Sequence, residues 1–476
     1  MHAYLQLLED IKKYGVFKGD RTGTGTQSLF GRQFRFDLKD NNLPVVTTKF
    51  VHTPSVEVEH VWMKNGLTNL KFLLDHNVRI WNEWCKPGTE VRVPVDEGEL
   101  VDLVQRKFKY VDFEMHHSNE IEEDYKFILD GARTNGEKGA VLLMSGKAWM
   151  DVERFGPGPT TYDFYGHARR VWQIVCGETT TLKVGEDGFV YRLVDGDLGP
   201  VYGKTWRNIE DTRIIKKAEL QNFLDRKFTF VVDVPGTSLE TDRAVVTRNI
   251  DQLAELLHDL EHNPDSRRLI ICAWDPALVD EQALPPCHAF IQFWTRKLEL
   301  SERLSLWVSN NANEFIKHLL DYKGDWPTQN VIDIVNTGEY QQVITQVAES
   351  DWLKFVEASG IDLTGIPERG ISCQLYQRSV DAFLGLPFNI TFYSIMTHAL
   401  ANQFNMVAEE FIWTGGDCHI YSNHQEQTDL QLTRNTFPTP KIHFREKGKP
   451  YLELDVGDFV IEGYEYHPHI AGKVAV

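Results

Sequence analysis

Cysteine is scarce in this chain, with six among 476 residues, at positions 85, 176, 272, 287, 373 and 418. They are too few and too scattered for a disulfide framework, and none has the CxxC spacing of a zinc site. Such usage suits a reducing cytosol. Long apolar runs are also missing. No stretch of about 18 apolar residues occurs, which argues against a membrane-spanning helix. The opening MHAYLQLLEDIKKYG lacks an apolar h-region and carries acids early, so it is not expected to be a secretory signal. Positive charge is in deficit: 50 Lys+Arg face 69 Asp+Glu, a formal net charge of −19, and no basic run of five appears. That surface repels a nucleic-acid backbone. An anionic substrate would need arginines gathered locally against this field. Internal repeats and low-complexity tracts are absent. What remains is ordinary globular composition, 42% hydrophobic and 25% charged, with length for roughly two to four domains of common size.

Residues 1–85 begin with an amphipathic helix, in which Tyr4, Leu5, Leu8 and Ile11 recur at helical spacing. A Gly/Thr-rich turn spans Gly19–Thr26. Strand-like stretches follow at Phe34–Leu38 and at the β-branched Val45–Thr48. Pro54 suits a helix N1 position, and Val56–Met63 is helical in pattern. A further helical patch covers Leu67–Leu74. Residues 86–194 shift in composition, with strand-like runs at Thr181–Val184 and Phe189–Val194 and a hard break at Gly156–Pro159. Residues 301–370 read as mostly helical, broken at Gly324 and Gly360. Residues 371–476 return to dense apolar strands and helices.

Several residues in this frame could carry chemistry. Cys287 stands in Leu284-Pro285-Pro286-Cys287-His288-Ala289-Phe290. A lone cysteine among apolar neighbours is usually an inert core residue. Two prolines before it impose an extended approach and remove backbone donors, which favours a strand that presents the thiol. His288 is not thereby its base, because successive strand side chains alternate faces. Arg267 and Arg268 follow the turn Asn263–Ser266 and precede the strand-like Leu269–Ala273. Arg21 sits in the Gly/Thr turn, and Arg378 lies between apolar strand segments. Each could be a solvated or ion-paired arginine, but a guanidinium flanked by apolar strand calls for an anionic partner. The Gly-rich turn is neither a P-loop nor a dinucleotide fingerprint. Glu59 has Val56, Trp62 and Met63 as helical neighbours. Either it is desolvated, with a raised pKa suited to proton transfer, or it flanks the stripe and reaches solvent. Asn389, among apolar residues, must spend its donors and acceptors on a backbone cap or a ligand edge. His419 and Tyr421 would share a strand face. No acid-rich cluster accompanies His419 and His424, so no metal site is expected.

Taken together these residues resemble the thymidylate synthase family. The motifs stand in the family's order: Asp20–Gly25, Trp81–Trp84, Leu198–Gly203, Asp265–Arg268, Pro286–Phe290, Gln374–Ser379, Gly385–Asn389 and Gly415–Asn423. The resemblance covers 1–85, 195–207, 248–300 and 371–476. It leaves insertions at 86–194, 208–247 and 301–370, the last at the tip of an expected β-hairpin. It implies an α+β fold, with a thymidylate synthase-like mixed sheet, surrounding helices, and a sheet back that forms a homodimer interface. The whole chain would be one decorated catalytic domain.

The resemblance also implies an activity and roles. The reaction would be reductive methylation of dUMP to dTMP, with 5,10-methylenetetrahydrofolate as donor of both carbon and hydride and no metal. Cys287 would be the nucleophile at C6, Tyr202 would help remove the C5 proton, and Glu59 would run the proton relay at O4. Arg21, Arg378 and Ser379 would hold the phosphate, with Arg267 and Arg268 from the other subunit. Asn389 would read the uracil edge, and His419 and Tyr421 the ribose. Asp381 would accept from the pterin, in a slot lined by Ile80, Trp81, Trp84, Leu284, Leu384, Gly385 and Phe388. Lys49 would meet the glutamyl tail, and Ala475 and Val476 would close the site. The chain departs from the family at Phe50, where an arginine is usual, and at Val58, where a histidine is common. The nearest rival is a pyrimidine nucleotide hydroxymethylase, in which water rather than hydride traps the C5 methylene; dCMP is a less favoured substrate because Asn389 matches uracil. An RNA-binding regulator or scaffold on the same core is a remoter reading, disfavoured by the net charge.

Overall fold

The computed structural model describes residues 1–20, 22–84, 90–94, 112–117, 124–130, 140–144, 147–151, 182–184, 190–233, 243–322, 344 and 347–474. Six strands build its central sheet: β1 (Val16–Lys18), β2 (Thr26–Asp37), β3 (Ile270–Cys272), β4 (His288–Lys297), β5 (Arg369–Asp381) and β6 (Val407–Tyr421). Their order is β1-β2-β6-β5-β4-β3. Only the β5–β6 pair is parallel, and the long helix between those two strands makes the crossover that a parallel pair needs. The fold is α+β, a mixed sheet with surrounding helices.

The helices around this sheet are α1 (His2–Tyr14), α2 (Thr53–Lys64), α3 (Tyr202–Arg207), α4 (Gln252–His262), α5 (Gly385–Gln403) and α6 (Gln425–Leu432). The crossover helix α5 is apolar nearly all round, and its residues from Leu386 to Ala401 are almost all buried, as a helix running through a core must be. It packs on β5, β6 and α2. Helix α1 buries Tyr4, Leu7, Leu8 and Ile11; each such side chain stabilises the fold by about 1.5–3 kcal/mol. In α2, Pro54 lies in the first turn as the sequence suggests, while the ring of His52 accepts from the Ser55 amide at 3.2 Å.

Two local expectations are corrected. Val45–Thr48 is buried but joins no ladder. Side chains and loops satisfy its carbonyls instead: Tyr464 Oη donates to Val46, the His467 amide to Thr47 and Arg434 Nη1 to Thr48. The helical pattern at Leu67–Leu74 yields only the short helix Lys71–Asp75, because Gly66 has a φ of +74° and the chain turns there.

Contacts divide the chain into residues 1–68 with 200–476, and residues 69–199. Among its described residues the second unit holds two antiparallel sheets. One is ordered Glu90–Pro94, Val190–Asp195, Leu182–Val184, and the other is a meander of Asp112–His117, Asp124–Asp130, Ala140–Met144 and Lys147–Asp151. The first unit carries two additions with small cores of their own. Strands Ile209–Lys216, Thr229–Asp233 and Arg243–Ile250 enclose Ile215, Phe228, Ala244 and Val246. Helices Leu300–Asp321 and Glu349–Ser359 enclose a cluster that includes Trp307, Phe315, Trp352 and Phe355. This helical addition springs from the β4–β5 hairpin tip, where Lys297 pairs with Arg369 and the Leu298 amide donates to Glu368. Gly360 ends its second helix at a φ of +67°, the left-handed conformation that glycine adopts freely.

Candidate active site

Cys287 sits just before β4, where the two prolines deliver the chain. Its amide donates to Tyr202 Oη at 2.8 Å, and the His288 amide donates to the same oxygen at 3.3 Å. Tyr202 is thereby fixed at the first residue of α3 with its hydroxyl at the cysteine. Arg378 arrives from β5. Its amide donates to the Cys287 carbonyl, Nε to Pro286 at 2.8 Å and Nη2 to Pro285 at 2.7 Å, and Nη2 lies 3.9 Å from Cys287 Sγ. The Trp274 ring supports the guanidinium from 5.3 Å. Burial pushes the Cys287 thiol up and the Arg378 charge opposes this, the net direction being up. The proline carbonyls already occupy part of the guanidinium, so one arginine does not offset the desolvation.

Behind the cysteine lies a polar cluster only part of which was legible in the sequence. His288 Nδ1 is 3.0 Å from Tyr393 Oη, and the His288 side chain is also hydrogen-bonded to Asn389. Burial lowers His288 to about 4, so the ring is neutral, and its hydrogen-bond partners are Tyr393 and Asn389 rather than the Cys287 sulfur. Asn389 and Tyr393 are four residues apart on α5 and therefore share a face. Glu59 is 6% exposed on α2, among fully buried Val56, Trp62 and Met63. Its charge helps to raise the hydroxyls of Tyr202 and Tyr393, for which burial is the larger cause.

The loop that carries Arg21 is organised by Asp20. Its carboxylate accepts from the amides of Thr22 and Gly25 and from the Thr22 hydroxyl. Gly23 and Gly25 take positive φ of 71° and 79°, and the Ser422 amide and hydroxyl hold the Gly25 carbonyl. Arg21 itself lies outside the described residues, as do Ala475 and Val476. His419 and Tyr421 share a face of β6, with rings 5.0 Å apart. His419 Nδ1 is 3.2 Å from Asp417, whose carboxyl is held well below the usual range first by that contact and then by Lys18. Ser379 pairs in register with Asp417. Arg267 and Arg268 are not brought to Cys287 within this chain by any described contact. Both are exposed on the turn before β3, and neither guanidinium has a partner among the described residues.

Asp381 ends β5, and its Oδ1 accepts from the amides of Phe383 and Leu384 at 2.9 and 3.0 Å. Leu384, Gly385 and Phe388 follow at the start of α5, each half-buried, as is Leu284. A carboxylate with its other oxygen free of the backbone beside partly open apolar groups fits a flat heteroaromatic ring bearing N–H donors. Lys49 does not stand out as a cation reaching for a tail. It is 4% exposed, and its ammonium donates to the Phe383 carbonyl and lies 3.7 Å from that ring centroid. Burial lowers it to about 7, against the charge of Asp381. Phe50 joins an aromatic cluster, 4.6 Å from the Tyr466 ring. Ile80, Trp81 and Trp84 belong to the second unit, where Trp81 is buried and its ring lies 5.8 Å from that of Trp84. Among the described residues no group of three or more His, Cys, Asp or Glu could hold a metal ion, and no helix is long and apolar enough to cross a membrane.

The sequence profile described as thymidylate synthase matches residues 2–310 and 354–476. Its gap falls in the helical addition at the hairpin tip. Curated relatives named "Thymidylate synthase" from three strains of Francisella tularensis subsp. holarctica are each 28% identical over 489 residues, covering 100% of both chains.

Proposed function

The chain belongs to the thymidylate synthase family of methyltransferases, and from that premise we propose that it converts dUMP to dTMP with 5,10-methylenetetrahydrofolate. The observation that carries the reading is Cys287, set between Arg378 and the Tyr202 hydroxyl at the mouth of the His288–Asn389–Tyr393 cluster. The Cys287 sulfur forms a bond to C6 of the pyrimidine, and the electron pair moves to C5 and O4. A phosphate beside Arg378 draws the guanidinium's charge into the site. Tyr202, whose oxygen accepts from two amides, helps to remove the C5 proton by orienting the water that receives it. Glu59, buried near Tyr202 and Tyr393, exchanges the proton at O4. Asn389, oriented by neutral His288, donates to O4 and accepts from N3–H. The folate supplies the one-carbon unit and the hydride. Asp381, Leu384, Gly385, Phe388 and Leu284 hold its ring, while Ala475 and Val476 exclude water. Lys49 acts on the ring end through Asp381 and Phe383 rather than on the distant tail.

The active form is a homodimer in the cytoplasm, with Arg267 and Arg268 donated to the partner's phosphate site. Support comes from the sheet face turned away from α5, which presents Trp294 at 58% and Tyr376 at 39% exposure. The Gln292 side chain on that face donates to the Arg267 carbonyl, so the arginine turn borders it. Residues 86–194, 208–247 and 301–370 are additions to one catalytic domain.

Incubation with dUMP and methylenetetrahydrofolate, followed by mass spectrometry, tests the assignment. Equal amounts of dTMP and dihydrofolate are expected, and Cys287→Ser should slow turnover by about three orders of magnitude, the scale of losing a covalent nucleophile, while dUMP still binds. The second reading, a hydroxymethylase, draws on Phe50: its aromatic packing leaves no guanidinium there. It requires 5-hydroxymethyl-dUMP without dihydrofolate.

A further inference from the structure

His424 is the one histidine of the site region with no exposed surface at all, and the reading above gives it no task. Its ring joins two parts of the molecule. On one edge Nε2 donates to the Lys473 carbonyl at 2.9 Å, and Asn423 Nδ2 donates to the same oxygen at 3.3 Å. On the other edge Nδ1 has no hydrogen-bond partner among the described residues and lies 4.0 Å from Asp381 Oδ2. The Phe383 ring packs on it at 5.0 Å. The C-terminal segment is seated tightly here. A Cβ on Gly472 would fall 2.8 Å from Phe383 and 3.1 Å from His424 Nε2 and from Leu384.

We propose that His424 is a positioning residue that couples the carboxylate of Asp381 to the seating of residues 472–473. The proposal rests on the functional reading above, in which Asp381 receives a ring N–H of the folate. A buried ring nitrogen without a partner costs about 1–3 kcal/mol, so a residue needed only to hold the Lys473 carbonyl gains nothing from it. With the ring proton on Nε2, Nδ1 is an acceptor that faces the acceptor Oδ2 of Asp381 at 4.0 Å, so no hydrogen bond joins them. A ligand that draws the Asp381 carboxylate towards or away from the ring changes that separation. Because the imidazole is rigid, any response at Nδ1 moves Nε2 against the Lys473 carbonyl. The coupling is reciprocal: a seated segment fixes the ring and pre-orients Asp381, and an engaged Asp381 steadies the segment.

Carboxypeptidase trimming of the full-length enzyme, with dUMP present and with or without dihydrofolate, reads the segment without requiring turnover. In the wild type, dihydrofolate should slow trimming at least tenfold. In His424→Phe this protection should fall below twofold, the folate KM should rise tenfold or more, and dUMP affinity should change less than twofold. His424→Gln keeps a side-chain N–H for the Lys473 carbonyl. It should restore slow trimming without folate but not the response to folate. Gly472→Ala, which crowds the seat and leaves His424 intact, should raise the folate KM likewise. Full folate protection in His424→Phe, or an equal loss of dUMP and folate binding, overturns the proposal. Wild-type enzyme that binds no dihydrofolate fails the functional reading itself, a result distinct from either.

Discussion

At the scale of the residue, the site is a set of buried polar groups held by specific partners, His424 Nδ1 excepted. Asn389 could be read from sequence as either a cap or a ligand-reading amide, and the alternatives stayed open because its partner was invisible. That partner is His288, which strand alternation placed on the far face from Cys287. The alternation argument was sound, yet the far face is where α5 delivers Asn389 and Tyr393. Spacing along α5 could have linked those two residues to each other, but not to a histidine some 100 positions earlier. The surroundings of Lys49 were hidden for a similar reason: only packing reveals the Phe383 carbonyl and the Asp381 charge beside it. The Asn389–His288 pair gives a selectivity prediction. The Asn amide offers a donor and an acceptor in the pattern uracil requires, and cytosine inverts it. Asn389→Asp should move relative kcat/KM towards dCMP by tenfold or more, as measured by tritium release from C5-labelled substrates. An unchanged preference for dUMP would show that base selection lies elsewhere.

At the scale of the element, the sequence was most informative where one helix face or strand pair meets the core. The α1 stripe and the α2 helix with Pro54 in its first turn follow from local pattern, whereas the β4–β5 hairpin was expected only from the family resemblance. Val45–Thr48 did not, because β-branched residues favour extended backbone without saying whether a neighbouring strand exists. Here the carbonyls are taken by Tyr464, His467 and Arg434, all from distant positions. The helical addition at the hairpin tip has its own apolar cluster and touches the sheet through Arg296. That guanidinium bridges Glu302 of the addition and buried Glu409 of β6. Lys297–Arg369 pairing and the Leu298–Glu368 hydrogen bond close the ladder below it. Replacing residues 300–366 by a tight turn should therefore leave the sheet and the site in place. Arg296 retains Glu409, so no buried carboxylate is left unpaired. The excised enzyme should keep kcat within about threefold, with a modest fall in melting temperature. Loss of dTMP synthesis in a variant with native circular dichroism would mean that the addition shapes the site.

At the scale of the whole molecule, two properties belong to no single element. The first is acid sensitivity. His60, His288 and His398 are buried as neutral rings, His60 lowered to about 3 and the others to about 4, burial being the main cause in each. Unfolded, each binds a proton near pH 6.5. Between that pH and the folded values the unfolded state holds more protons, so stability rises with pH and is lost as pH falls. From pH 7.5 to 5 each ring should remove on the order of 2 kcal/mol, seen as a falling midpoint in thermal melts. His60→Phe should flatten that slope, since both His60 nitrogens lack partners among the described residues. A midpoint that does not move between these pH values would contradict the neutral assignment. The second is the proposed sharing of sites between subunits. In a protein of net charge −19, a phosphate dianion needs several guanidinium groups close together. Arg378 is committed in part to the proline carbonyls at Cys287. Arg267 and Arg268 stand exposed, and unpaired among the described residues, on a turn that borders the outward sheet face. An isologous C₂ pairing of that face places each turn twice, once per site. Cys287→Ala and Arg268→Glu chains, each inactive alone, should therefore complement when mixed under conditions that exchange subunits. One site of the heterodimer carries both lesions and the other carries neither. Random reassortment makes about half the dimers mixed, each with one intact site, so activity should recover to roughly a quarter of the wild-type value per chain. Mass spectrometry of the mixture verifies that heterodimers formed. Verified heterodimers with no recovered activity would mean that each site is built within one chain, and that Arg267 and Arg268 serve the surface rather than the substrate.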